Sequence, residues 1–148
     1  MRIQELVSSI KRHEGLRLES YQLKTKQGLE PFYTIGYGHR LSHYSKPINI
    51  HEAELYLYQD IIQAINVAMD IFPNFARLND YYQNFVIEMC YNMGYNLKSF
   101  IHANTALVSN NINIAIREYR NSTWRKQVGE NRVEDMMNIL RKGYKEDN

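Results

Sequence analysis

A strand-favouring stretch set inside an otherwise helical chain is the feature that most limits what this sequence can fold into. Between Leu16 and His39 the residues Leu18, Tyr21, Phe32, Tyr33, Thr34, Ile35 and Tyr37 favour extended structure. Thr25-Lys26-Gln27-Gly28 reads as a turn between two strands. The stretch is therefore expected to form a small hairpin, with length enough for a third strand.

On either side of it the apolar spacing is helical. Ile3, Leu6, Val7 and Ile10 form one stripe on a first helix running to about His13, and Gly15 supplies its stop. Asn49 and Glu52 have capping-box spacing ahead of a long helix that carries Leu55, Ile62, Ile65 and Met69 and ends near Pro73. Beyond it, Asp80 to Met93 closes at Gly94, and Ser99 to Val108 ends at an Asn-Asn turn. Ile112 to Tyr119 is short, and Val128 to Lys142 closes at Gly143, leaving Tyr144 to Asn148 as a frayed tail. There is no repeat, low-complexity tract or Gly/Ser linker. Residues 1–148 are thus predicted to be one α+β domain. It comprises a hairpin lobe over about 15–48, a connecting helix over about 50–72, and a helical lobe over about 74–143 packed with helix 1–13.

Composition narrows the function classes. With 148 residues and 44% hydrophobic content the chain can bury a core without staples, and its single cysteine, Cys90, allows no intrachain disulfide. The N-terminal residues lack the apolar core of a signal peptide and no segment reaches transmembrane length, so synthesis in a cytosol is expected, without stable membrane insertion. The net charge of +2 is spread along the chain, which gives no basic face for nucleic acid but tolerates an anionic polymer. A monomer is expected.

Two local features could carry chemistry. Glu14 sits where the first helix ends, and negative charge there opposes the helix dipole, a disposition that suits a general acid. Read blandly, it is a solvated charge. Thr34-Ile35-Gly36-Tyr37-Gly38-His39 is a strand entering a turn whose two glycines permit close approach of another group, and no third glycine makes it a phosphate-binding loop. His39 and His43 fall in a loop-like segment, and His51-Glu52 lacks the second histidine of a zinc-protease helix, so no metal or other cofactor is expected. Cys90 reads as an inert core thiol.

In combination these stretches resemble a known family. Glu14-Gly15-Leu16-Arg17-Leu18 with Tyr21, followed by Tyr33-Thr34-Ile35-Gly36-Tyr37-Gly38-His39, is similar to the active-site stretch of the phage-type lysozymes, the endolysin muramidases of tailed phages. Met89-Cys90-Tyr91-Asn92-Met93-Gly94 resembles the helix end that lines the family's cleft. Ser122-Thr123-Trp124, Gln127-Val128-Gly129 and Arg132 resemble its C-terminal segment. The resemblance implies a lysozyme-like fold and cleavage of the peptidoglycan bond between N-acetylmuramic acid and N-acetylglucosamine. It gives Glu14 the role of acid, has Thr34 hold the attacking water, and sets Arg132 facing Glu14. Tyr91 and Asn92 would line the sugar cleft, with His39 and Arg40 at its edge. It further implies lysis of a bacterial host, with the protein made in the host cytoplasm and released to the wall through a separately encoded holin.

One position departs from the family. Where the pattern has an aspartate, this chain has Leu23, and no aspartate occurs before Asp60. Glycoside hydrolysis usually takes two carboxyl groups. Glu30, just past the turn, is a candidate base; Glu19, on a strand, is expected to point away. Alternatively a single carboxyl group would serve a lytic transglycosylase, in which the muramic acid's own 6-hydroxyl attacks. A third alternative is a protein that binds glycan without cutting it.

Overall fold

The computed structural model describes all 148 residues, and the chain has seven α-helices and five short strands. It divides into two compact units, residues 7–63 on the one hand and Met1–Leu6 with residues 64–148 on the other. The boundaries fall within the first helix, α1 (Ile3–Glu14), and within the long helix α2 (Ile50–Ile71).

In the 7–63 unit, β1 (Arg17–Tyr21), β4 (Tyr33–Gly36) and β5 (His39–Leu41) form an antiparallel sheet in the order β1-β4-β5. A separate two-stranded ribbon joins β2 (Lys24–Thr25) to β3 (Gly28–Leu29). The expected turn lies here: Thr25 Oγ1 donates to the Gly28 carbonyl at 2.7 Å and accepts from the Gln27 amide at 3.2 Å. The expected single hairpin is thus a ribbon and a three-stranded sheet. Ile35, Tyr37, Ile48, Ala53 and Leu57 are buried, and Lys11 bridges to Glu54 at 3.2 Å. The capping box of α2 is formed, with Asn49 Oδ1 accepting from the Glu52 amide at 2.9 Å and Glu52 Oε1 from the Asn49 amide at 3.3 Å.

The second unit is helical: α3 (Asp80–Met93), α4 (Ile101–Val108), α5 (Ile112–Arg120), α6 (Trp124–Val128) and α7 (Glu130–Asp147). The first turn of α1 is tied to α3, because the terminal amino group donates to Asp80 Oδ1 at 2.8 Å and Gln83 Oε1 at 2.6 Å, and Asn84 exchanges two bonds with the Arg2 backbone. Tyr119 is wholly buried against Phe85, its hydroxyl donating to Asn104 Oδ1 at 2.6 Å. No helix is long and apolar enough to cross a membrane.

Three local expectations need correction. The helix expected over Ser99 to Val108 is α4, which starts two residues later, at Ile101, after a 3-10 segment, Gly94–Ser99. A short helix, α6, had no expected counterpart, since five residues carry no readable period. Above all, α7 does not stop at Gly143 but continues to Asp147. Gly143 is there for space: a Cβ would lie 2.4 Å from Tyr82 Cε1, while Asn79 Nδ2 donates to the Gly143 carbonyl at 2.9 Å.

Candidate active site

Glu14 is the last residue of α1, and the helix ends on the Gly15 amide, which donates to the Lys11 carbonyl at 3.0 Å. The turn after β4 comes back against this carboxyl group. Gly38 has φ +77°, and a Cβ placed on it would sit 2.6 Å from Glu14 Oε1. The close approach that the Gly-Tyr-Gly stretch permits is therefore an approach to Glu14 itself: the backbone angle favours glycine, and a Cβ would force the Glu14 carboxyl group to shift.

Thr34 lies in the central strand and is 8% exposed. It is paired with Tyr21 on one side and Arg40 on the other, whereas Ile35 is paired with His39. Directly opposed residues share a sheet face, so Tyr21, Thr34 and Arg40 lie on one face and Ile35 and His39 on the other. Arg40 is exposed, its guanidinium 4.1 Å from the Phe32 ring centroid. His39 is directed to α2, where Nδ1 donates to Asp60 Oδ2 at 2.7 Å and the ring stacks on Tyr56 at 4.0 Å. The sheet thus brings Arg40, but not His39, to the face of Thr34.

Leu23 is 53% exposed at the mouth of the ribbon. Its carbonyl accepts from the Glu30 amide at 3.0 Å, which extends the Lys24↔Leu29 and Thr25↔Gly28 register by one pair. Glu30 is therefore the cross-strand neighbour of the position where the family pattern has its aspartate. Glu30 Oε2 is buried without a hydrogen-bond partner, while Gln22 Nε2 holds the Glu30 carbonyl at 2.8 Å. A buried carboxylate oxygen in that condition costs free energy, and such costs are typical of functional sites.

The Tyr21 phenol feels the charge of both carboxyl groups. It is held above the usual range chiefly by burial; the Arg17 guanidinium, 4.3 Å from the ring centroid, opposes this, and the Glu14 and Glu30 carboxylates add to it. Both glutamates are therefore within electrostatic reach of one hydroxyl. Glu19 is exposed on β1.

In the helical unit, Tyr91 and Asn92 are half-buried in the last turn of α3. Arg132 is on α7, with Nη2 3.7 Å from Glu88 Oε2. Glu88 precedes Tyr91 and Asn92 by three and four residues, so all three share a helix face. Arg132, Tyr91 and Asn92 are thus brought together around a carboxylate that the motif reading missed. Its signal was in the sequence, since Glu88 is the one charged residue in Phe85-Val86-Ile87-Glu88-Met89-Cys90. Next to it, burial pushes the Cys90 thiol up to about 12, leaving it unreactive at neutral pH. Trp124 Nε1 is buried without a hydrogen-bond partner. No three His, Cys, Asp or Glu side chains stand close enough to hold a metal ion.

The family model described as Phage lysozyme matches residues 11–132, which takes in every candidate residue from Glu14 to Arg132. No protein of curated function matches the sequence.

Proposed function

This chain belongs to the phage lysozyme family, and we propose from that premise that it hydrolyses the β-1,4 bond between N-acetylmuramic acid and N-acetylglucosamine in peptidoglycan. The observation that supports the reading is the Gly38 backbone set against the Glu14 carboxyl group, with Glu30 the cross-strand neighbour of Leu23.

In the proposed reaction Glu14 is the general acid and gives its proton to the bridging oxygen as that oxygen leaves the muramic acid C1. Glu30 is the base, taking a proton from the water that attacks C1, and the Thr34 hydroxyl holds that water. The C1–O bond to the leaving sugar breaks, the new C1–O bond comes from water, and one proton passes to each side. Glu30 replaces the aspartate by reaching from the opposite strand of the ribbon. Arg40, Tyr91, Asn92 and Arg132 contact the glycan, and His39 secures β5 to α2 behind the face that meets it. The proposed setting is lysis of a bacterial host, with the protein made in the cytoplasm and reaching the wall through a holin.

Mass spectrometry of the fragments released from purified Gram-negative peptidoglycan tests this. The wild type should release fragments with reducing-end muramic acid, and Glu14→Gln and Glu30→Gln should release none. Anhydro-muramic acid ends would instead make the protein a lytic transglycosylase, and binding without release would leave a glycan-binding protein.

A further inference from the structure

We infer that Glu88 is a positioning residue that holds the Arg132 guanidinium for the glycan; the inference rests on the glycosidase reading above. Glu88 is 1% exposed in the middle of α3, flanked by Ile87 and Met89. A carboxylate this deep requires a cation or strong hydrogen bonds, because its desolvation costs several kcal/mol by general estimates. The cation facing it is Arg132, itself only 11% exposed, with a nitrogen 3.7 Å from Oε2. That separation is an ion-pair contact rather than a hydrogen bond, so the hold is electrostatic.

Stability alone does not call for this pair, since apolar residues of similar volume usually serve a core as well or better. What a buried anion adds is direction. An arginine side chain has several rotatable bonds, and a carboxylate fixed behind its head removes most of that freedom before a ligand arrives. The glycan contact proposed for Arg132 then costs less side-chain freedom to make. Tyr91 and Asn92 fit the same ligand, because they follow Glu88 by one helical turn and present an aromatic ring and an amide on that face. Glu88, Tyr91, Asn92 and Arg132 all lie in the helical unit.

Steady-state kinetics on soluble peptidoglycan fragments tests this with Glu88→Gln, Arg132→Gln and the double variant, each with its thermal midpoint. Each single change should raise KM about tenfold and leave kcat within about threefold, the mark of lost binding rather than lost chemistry. The double variant should be no worse than Arg132→Gln, because the two residues act as one unit. A wild-type KM in Glu88→Gln, or losses that multiply in the double variant, would overturn the inference. So would a fall in kcat that merely follows the folded fraction, which is what a purely structural role gives. If Glu88→Gln does not fold, Glu88→Asp keeps the charge but withdraws it, and a wild-type KM there overturns the inference equally. A wild type that releases no fragments fails the glycosidase reading itself, whereas normal release with an unaltered Glu88→Gln fails only the role of Glu88.

Discussion

Replacing one hydrogen of Gly38 by a methyl group tests how the acid is held. The new carbon would start 2.6 Å from Glu14 Oε1, on a residue at φ +77°. The left-handed backbone alone costs an L-residue about 1–2 kcal/mol, and the carboxyl group must also move. A displacement on the order of 1 Å in a reacting group can cost about 100-fold in rate. Gly38→Ala should therefore lower kcat by about that factor with only a modest drop in melting temperature, and a wild-type kcat would refute the packing role of Gly38. A second change tests the ribbon. Glu30→Gln should lose about 100-fold or more, as removal of a general base does. Leu23→Asp added to it should recover about tenfold, because the carboxyl group returns on the opposing residue of the same pair. A double variant no more active than Glu30→Gln would show that the two positions are not interchangeable. The helix-end position of Glu14, the strand position of Thr34 and the close approach at Gly38 were legible in sequence because each attaches to a local motif. Glu88 showed in sequence only as a lone charge in an apolar run, and its pairing with Arg132 on another helix did not show.

Elements followed the same division between local and distant causes. The capping box of α2 and the Gly94 end of α3 are written within a few residues of where they act, and both formed as expected. The glycine within α7 answers to a contact remote in sequence. Glycine near a helix end ordinarily reads as a stop, but Gly143 lies inside the helix, where the Tyr82 ring occupies the space of a Cβ. The sheet shows it again: β1 pairs with β4 through an irregular register between Arg17 and Tyr21, which no strand pattern announces. Gly143→Ala separates the two readings of that glycine. In an open helix the change would stabilise by about 1 kcal/mol through helix propensity. Against Tyr82 it should instead destabilise, by about 1–3 kcal/mol, as overpacking does. Thermal unfolding reads the sign directly, and a raised midpoint would mean that the ring yields without cost.

For the whole molecule, the two units are unequally furnished. Of the thirty-three buried apolar side chains only seven lie within residues 7–63. A segment of that size has a thin core of its own, and its strands are short. Local opening is easiest where apolar burial is least, so its amides should exchange at lower free energy than those of α3 and α7. The His39–Asp60 pair ties β5 to α2, at 2.7 Å with both side chains partly buried. Asp60→Asn removes its charge and keeps its shape, which at this intermediate burial should cost about 1–3 kcal/mol. In native-state hydrogen exchange that loss should appear at β4, β5 and the first half of α2, with the slowest amides of α3 and α7 unchanged. If the slowest amides lose protection by the same amount, the chain unfolds as one cooperative body; if none changes, the pair does not secure the sheet. The result bears on the active site because Thr34 and Gly38 flank the strand turn that this pair holds to α2. Selective opening in the variant should therefore come with a loss of activity steeper than the change in global stability.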